Sequence, residues 1–380
     1  MGKYTILDNG ELDERIDKDI VLCREHILKV FGNNLLSLVL IGGYGRGEGG
    51  VTSYGEALGP KNNYDFLIIL RKVHFWNKRK IKISLEKLKS ELDKRLLVPF
   101  EYSFQSERKI QRAPCIMIYQ DIYNVSMTIH GQDIKELLSS EITKPLDHTE
   151  ALRIIRNRSV LLLLSGVRAD HRSYKATPQQ IKIWISKAII GFGDAILILK
   201  NAYETRYVEK MTAIEQLDFQ EVFKNETDYN YFKTLYRTVS LYRIKDEDST
   251  LLEDRNRMIN VLEQINLWVI RQYLNDQEFG WENFSRISIY LNEPSKIILR
   301  NVLINLIEHG FLYFFKQLFS NPKNILTHPA DKLFKVLSLV LYKPDFDFLK
   351  ICRTELNLNI KATLIDIQKE SFRIYDKYIM

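Results

Sequence analysis

The sequence predicts an α+β protein in which a mixed β-sheet covered by helices precedes an all-α domain. The sheet is indicated by continuous apolar runs at 35–41 and 65–70 and by an alternating run at 96–104. After residue 146 almost every segment instead repeats its apolar residues at helical spacing. We therefore predict two domains, 1–146 and 147–380, which a chain of 380 residues is long enough to form.

A helix and a strand open the predicted sheet domain. Apolar residues recur at helical spacing over residues 11–31, and Gly32-Asn33-Asn34 ends that helix. Residues 35–41 are apolar without a break, which favours a buried strand. A glycine-rich turn at 42–50 opens a short helix, and the polar residues 51–62, which contain glycine and proline, are predicted to be a loop.

Five further segments complete the predicted sheet domain. Residues 65–70 form the second strand, and their continuous apolar character indicates a central position. A strongly charged surface helix over 78–95 leads to a third strand at 96–104, along which apolar and polar residues alternate. Residues 115–122 and 125–129 are predicted to be two strands joined by a tight turn.

The second domain is predicted to consist of helices alone. Thr177-Pro178-Gln179-Gln180 has the residues of a helix start, with Thr as the N-cap and Pro at the first helical position. The predicted helices cover residues 149–165, 179–202, 229–243, 251–274, 294–319, 331–341 and much of 346–379.

Charge and cysteine content narrow the class of protein. The net charge of +7 favours anionic partners but does not choose among nucleotides, nucleic acids and phosphorylated substrates. The three cysteines have neither metal nor disulfide spacing, which is typical of a reduced compartment, so we predict a cytoplasmic protein. The longest apolar runs are too short to cross a membrane, and no membrane partner is expected.

The stretch from Leu38 to Leu70 holds the residues best suited to chemistry. One strand ends at Gly42-Gly43, and the next begins near Asp65. Glycines let backbone N–H groups approach a phosphate, because no Cβ stands between them, and a carboxylate can hold a divalent metal over that phosphate. The string Gly42-Gly43-Tyr44-Gly45-Arg46-Gly47-Glu48 is not a Walker loop, since no Gly-Lys-Ser/Thr follows it. The position of the acid at a strand start also argues against a dinucleotide fingerprint.

This pattern resembles the nucleotidyltransferase superfamily of DNA polymerase beta, the aminoglycoside nucleotidyltransferases and protein-PII uridylyltransferase, and the glycine turn is most like that of the last. The resemblance implies a nucleotidyltransferase-type sheet over roughly the first 130 residues. It implies that the pair Gly42 and Gly43 holds a triphosphate, and that Asp65 is the second acid of the family's Asp-x-Asp motif. Asn63 stands where the first acid is expected, and Glu101 matches the third acid by topology.

The resemblance also implies a reaction: transfer of a nucleoside monophosphate from an NTP to a hydroxyl acceptor, with Mg²⁺ or Mn²⁺. Asn63, Asp65 and Glu101 are the predicted metal ligands and catalytic residues. The acceptor stays open between a small molecule, a protein and an RNA such as tRNA, and nucleic acid is not specifically indicated. The Asn63 amide carries no charge, so either the site works in modified form, or Glu48 supplies the missing acid, or the fold binds a nucleotide or partner without turnover.

Three predicted site residues have alternative interpretations. Arg46 either binds triphosphate oxygens or pairs with Glu48. Glu101 either completes the site, with Asp121 as the fallback, or is a solvent-facing strand residue. Lys187 is the candidate for a triphosphate-binding lysine, from a vague similarity of the helical half to uncharacterised bacterial nucleotidyltransferase-domain proteins, and alternatively forms an ion pair. The scattered histidines predict no zinc site.

Overall fold

The computed structural model describes most of the chain, and its secondary structure is α+β, as the sequence predicts. Described are residues 2–378 except 56, 167–175, 219, 246–253, 287–299, 308–309, 312–314, 316–318, 320–322, 343–345 and 360. The chain divides into two compact units. The first contains Met1–Glu150, Lys200–Leu217 and Lys233–Thr250, and the second contains Ala151–Leu199, Asp218–Phe232 and Leu251–Met380. The division into domains 1–146 and 147–380 stays a prediction.

The strands and helices follow one another in mixed order up to residue 131, and the described residues after it form helices and their connections. The strands are β1 Leu35–Ile41, β2 Val51–Tyr54, β3 Ala57–Pro60, β4 Tyr64–Leu70, β5 Phe100–Ser106 and β6 Met127–Gly131. The helices bounded in the described residues are α1 Gly10–Phe31, α2 Gly42–Gly45, α3 Phe75–Leu92, α4 Glu107–Ile110, α5 Met117–Val125, α6 Ile134–Leu137, α7 His148–Leu164, α8 Pro178–Leu199, α9 Tyr207–Glu215, α10 Glu226–Lys245, α11 Arg255–Leu274, α12 Lys323–Leu326, α13 Pro329–Tyr342, α14 Phe346–Glu355 and α15 Leu364–Tyr378.

The first unit is built on a four-stranded sheet with the order β5-β4-β1-β6. Strand β1 pairs antiparallel with β4 on one side and with β6 on the other, while β4 and β5 are parallel. A parallel pair needs a crossover connection, and α3 supplies it between β4 and β5. The two central strands are buried almost along their whole length, which explains why their sequences are continuously apolar.

Alternation along β4 distributes its side chains between two cores. Phe66 and Ile68 belong to a core that also contains the buried faces of α1 and α3. Leu67 and Ile69 belong to the core on the opposite face, which includes Ile122 from α5. Successive strand residues face opposite sides, so Asp65 lies on the face of Leu67 and Ile69.

The second unit is held together by packed helices. Helix α8 is buried along most of its length and packs against α11. Helix α13 packs against α14 and α15, and a polar cluster around the buried residues Asn305 and Lys332 lies in the same unit. Residues 300–307 are helical, and much of the rest of the helix predicted at 294–319 lies outside the described residues.

Two local predictions are wrong. The predicted strand at 115–122 is instead the helix α5, and the second strand of the predicted hairpin, β6, pairs with β1. An apolar run of this length fits a strand or a short helix, and the partly amphipathic pattern of α5 buries Ile122 against the sheet. The predicted loop at 51–62 contains the hairpin β2–β3, in which Val51 pairs with Pro60 and Tyr54 with Ala57.

Candidate functional site

The glycine-rich turn begins where β1 leaves the sheet. Gly42 has a φ of +69°, in the left-handed region that favours glycine. The turn is closed by backbone hydrogen bonds: the Arg46 N–H donates to the carbonyl oxygens of Gly42 and Gly43, at 3.1 and 3.2 Å, and the Glu48 N–H donates to Gly43 at 2.9 Å. These contacts form the short helix α2, which the sequence predicts.

The glycine-rich turn packs closely against the Asp65 carboxylate. A β-carbon added to Gly42 would stand 2.6 Å from Asp65 Oδ2, closer than real β-carbons approach other atoms. The register of the sheet explains this approach, since Ile41 at the end of β1 pairs with Asp65 in β4. The predicted phosphate-binding turn and the predicted acid are therefore adjacent.

Asn63 and Glu101 lie on either side of Asp65 in sequence and in the sheet. The Asn63 side-chain amide donates to Asp65 Oδ1 at 2.5 Å, so its nitrogen rather than its oxygen faces the carboxylate. Glu101 pairs with Asp65 in the parallel register of β4 and β5, at neighbouring positions of the same face. The structure thus brings all three predicted residues to the end of the sheet at which strands β4 and β5 begin.

Glu101 already has a cationic partner. Lys89 Nζ of α3 lies 2.8 Å from Glu101 Oε1 and also donates to the carbonyl oxygen of Phe100. Burial alone would lower the pKa of Lys89, but the hydrogen bond and charge of Glu101 outweigh it, with help from Asp93, and raise that pKa. The Glu101 side chain remains 49% exposed, so it is both paired and accessible from solvent.

The Glu48 carboxylate caps the N-terminus of helix α9. Its side chain is 1% exposed, and its two carboxylate oxygens accept from the backbone N–H groups of Tyr207, at 2.8 Å, and Val208, at 3.1 Å. These N–H groups belong to the first turn of α9, where a negative charge is favourable. With both oxygens engaged, Glu48 is a helix cap, and its use as the acid missing at Asn63 stays a prediction.

Arg46 points towards the same helix end. Its guanidinium carbon lies 5.0 Å from the centre of the Tyr207 ring, and its Nε lies 3.8 Å from Glu48 Oε2. Burial favours the neutral form, yet the nearby Tyr207, Asp121 and Glu48 outweigh it and raise the pKa of Arg46. Among the described residues this Nε has no hydrogen-bond partner although it is buried. The pairing of Arg46 with Glu48, one of the two interpretations that the sequence allows, is therefore present as an ion pair of 3.8 Å.

A polar cluster next to Arg46 was not predicted. The Tyr203 hydroxyl donates to Asp121 Oδ1 at 2.9 Å, and Lys210 Nζ donates to the Tyr203 hydroxyl at 3.3 Å. Lys210 is 4% exposed, and its Nζ also lies 4.5 Å from the centre of the Tyr203 ring. Tyr203, Tyr207 and Lys210 follow one another at helical spacing, which is the only sequence signal for this cluster.

The comparisons with known proteins do not identify this chain. No family model matches it, and no curated protein matches its sequence. Within the described ranges, no helix is long and apolar enough to cross a membrane.

The predicted divalent metal can be compared with the donors present. Mg²⁺ in proteins is commonly held by one or two carboxylates together with substrate phosphates. Asp65 supplies one carboxylate beside the turn, and Glu101 is the next one in register. Among the described residues no group of three or more His, Cys, Asp or Glu side chains is arranged to hold a metal. Asp65 and Glu101 are thus the two carboxylates from which a cation site beside this turn would be built.

Lys187 belongs to the other unit. It lies on α8 with its side chain exposed, whereas Asp194 of the same helix is buried. Lys187 therefore stays a prediction, while Lys210 is the lysine that the structure brings close to Arg46 through Tyr203 and Tyr207.

Proposed function

We propose that the first unit is a nucleotidyltransferase that moves a nucleoside monophosphate from an NTP to a hydroxyl acceptor. The observation that carries this proposal is the approach of Gly42 to Asp65: a glycine turn able to receive phosphates lies directly against a carboxylate. The order β5-β4-β1, with β4 antiparallel to β1 and parallel to β5, supports it because it sets Glu101 beside Asp65.

The proposed roles follow from these positions. Backbone N–H groups of Gly42 and Gly43 would face the triphosphate, and the Arg46 guanidinium would donate to its oxygens. Asp65, with Asn63 beside it, would hold Mg²⁺ or Mn²⁺. A bound cation would neutralise charge on the phosphate oxygens during an in-line displacement.

The bond changes assign a task to Glu101. The acceptor oxygen forms a bond to the α-phosphorus, the bond from that phosphorus to the β-phosphate oxygen breaks, and pyrophosphate leaves. The acceptor hydroxyl must lose its proton, and Glu101 is the candidate to receive it. Because Lys89 already neutralises Glu101, the pair must rearrange or share this task.

A second candidate function is nucleotide binding without turnover on the same fold. Two observations favour it: the Asn63 amide carries no charge, and Glu101 already forms an ion pair with Lys89. Both functions require the triphosphate to bind at the glycine turn, and they differ only in whether pyrophosphate is released.

Labelled nucleotides distinguish the candidates. The protein is incubated with Mg²⁺, a cell extract and each NTP labelled at either the α- or the γ-phosphate. Nucleotidyl transfer predicts that α-label becomes attached to an acceptor while γ-label appears in pyrophosphate. If no acceptor gains the α-label and no labelled pyrophosphate forms, although the purified protein binds NTP, the non-catalytic candidate is favoured. Absence of NTP binding would contradict both.

A further inference from the structure

A groove separate from the glycine turn lies between α3 and the sheet edge. We call it the α3–β5 groove and define it by Trp76, Lys78, Arg79, Lys82, Tyr102 and Phe104. Its volume is about 780 Å³, within the range of ligand-binding clefts. Strand β5 is one of the two edge strands of the four-stranded sheet, so the groove opens at a border of that sheet.

The groove is cationic. Three of its described lining residues are Lys or Arg, and none of those described is acidic. Over the part of the chain that is described, Lys78, Arg79 and Lys82 form no ion pair, in contrast to Lys89 further along α3, which binds Glu101. The neighbouring Glu86 is engaged by the Tyr102 hydroxyl, which donates to Glu86 Oε1 at 2.7 Å. The positive charge at this end of α3 is therefore available to an anionic ligand.

The groove is also aromatic. Trp76 is 83% exposed, an unusual state for the largest side chain, and Tyr102 and Phe104 contribute further ring surface. Exposed aromatic rings beside cations are the arrangement by which proteins bind single-stranded nucleic acids: bases stack on the rings and phosphates contact the cations. An acidic peptide would use the cations but not the stacking surface.

We propose that the α3–β5 groove binds a segment of single-stranded nucleic acid. Lys78 and Lys82 are one helical turn apart, about 6 Å along the axis, so the two cations lie side by side on the groove. These cations contact successive phosphates while an unstacked base lies on Trp76. A duplex hides its base faces and offers nothing for Trp76 to stack on, so an intact duplex is excluded as the preferred ligand. This inference does not depend on the proposed transferase activity.

Binding of a fluorescein-labelled oligouridylate of about 12 nucleotides to the full chain, followed by anisotropy, tests the proposal. Three cations predict a slope of log K against log salt near −2, or about 20-fold weaker binding at 200 mM than at 50 mM salt. The triple substitution Lys78→Ala, Arg79→Ala, Lys82→Ala is expected to weaken binding at least tenfold. Lys80→Ala is the matched control, because Lys80 is exposed on the same helix but does not line the groove.

The stacking part has its own test. Trp76→Ala is expected to weaken binding at least fivefold, and Trp76→Phe to retain most of it. Binding that is absent at 50 mM salt, or that the triple variant and Lys80→Ala weaken equally, overturns the proposal. Equal competition by a duplex, by a mononucleotide at the same phosphate concentration or by polyglutamate overturns the single-stranded assignment.

Discussion

The Asp65 carboxylate lies so close to the backbone of Gly42 that a β-carbon at residue 42 would come within 2.6 Å of Asp65 Oδ2. The contact joins the end of β1 to the start of β4 through the pairing of Ile41 with Asp65. Any side chain at residue 42 must displace the carboxylate or the turn. In the proposed function both displacements remove part of the phosphate site.

Gly42→Ala is therefore expected to abolish NTP binding and to destabilise the fold. Gly55→Ala is the matched control, because Gly55 has a similar φ of +65° with no atom within 4 Å of its added β-carbon. The control should cost about 1–2 kcal/mol from backbone strain alone, and Gly42→Ala should cost more because of the clash. Urea unfolding and NTP titration measure both effects. Equal destabilisation by the two substitutions would contradict the close contact.

Glu48 is expected to be a stability determinant. Glu48→Ala leaves the first N–H groups of α9 without their side-chain acceptor and removes a carboxylate beside Arg46, so a loss of about 2–4 kcal/mol is expected. Glu209→Ala removes an exposed acid in the first turn of the same helix and should cost less than about 1 kcal/mol. Chemical denaturation measures both. A loss for Glu48→Ala no greater than the control's would refute the capping role.

Replacing Glu101 is expected to change the transfer rate much more than the free energy of unfolding. Its ion pair with Lys89 is partly exposed, so Glu101→Gln should change the unfolding free energy by less than about 1 kcal/mol. If Glu101 receives the acceptor proton, the transfer rate should fall about 10²–10⁴-fold. Glu136→Gln, an exposed acid on α6, is the control and should leave both quantities unchanged. A Glu101→Gln enzyme with full activity would move the third-acid role elsewhere.

The buried Lys332 gives a pH prediction for the second unit. Burial lowers its pKa to about 8, against a partial opposing effect of Glu355, and its Nζ donates to Asn305 Oδ1 at 3.2 Å. The unfolded chain holds this proton up to about pH 10.5, so the charged form is costly below pH 8 and the cost is relieved as pH rises from 8 to 10.5. The relief amounts to about 3 kcal/mol.

The Lys332→Met variant isolates this term, since other groups also titrate in that window. We expect the unfolding free energy of the natural chain to rise relative to that of the variant between pH 8 and 10.5. Parallel pH profiles for the two proteins would show that Lys332 keeps an ordinary pKa.

The elements that could be predicted from the sequence are those with a local cause. Continuous apolar runs mark β1 and β4 because both strands are buried on two faces, and the glycine string marks the turn because no other residue fits beside Asp65. The pairing of Asp65 with Glu101 was also predictable, since a charged helix between two strands predicts a parallel crossover.

The parts that could not be predicted depend on contacts distant in sequence. Nothing near Glu48 indicates that α9, about 160 residues later, would use it as a cap. The cluster of Tyr203, Asp121 and Lys210 is hidden in the same way, because Asp121 lies 82 residues from Tyr203 and each member by itself resembles an ordinary helix or loop residue. Helix α5 was mistaken for a strand because a short apolar run carries too little periodicity to decide.

Pyrophosphate release is the most direct test of the central claim, that Asp65 beside Gly42 supports nucleotidyl transfer. The initial rate is measured with Mg²⁺, each NTP in turn and cell extract as the source of acceptor, for the natural chain, Asp65→Asn and the control Asp8→Asn, an exposed acid outside the site. The account predicts NTP-dependent release by the natural chain and the control, and at least a hundredfold lower rate for Asp65→Asn. Equal rates for Asp65→Asn and Asp8→Asn would contradict it.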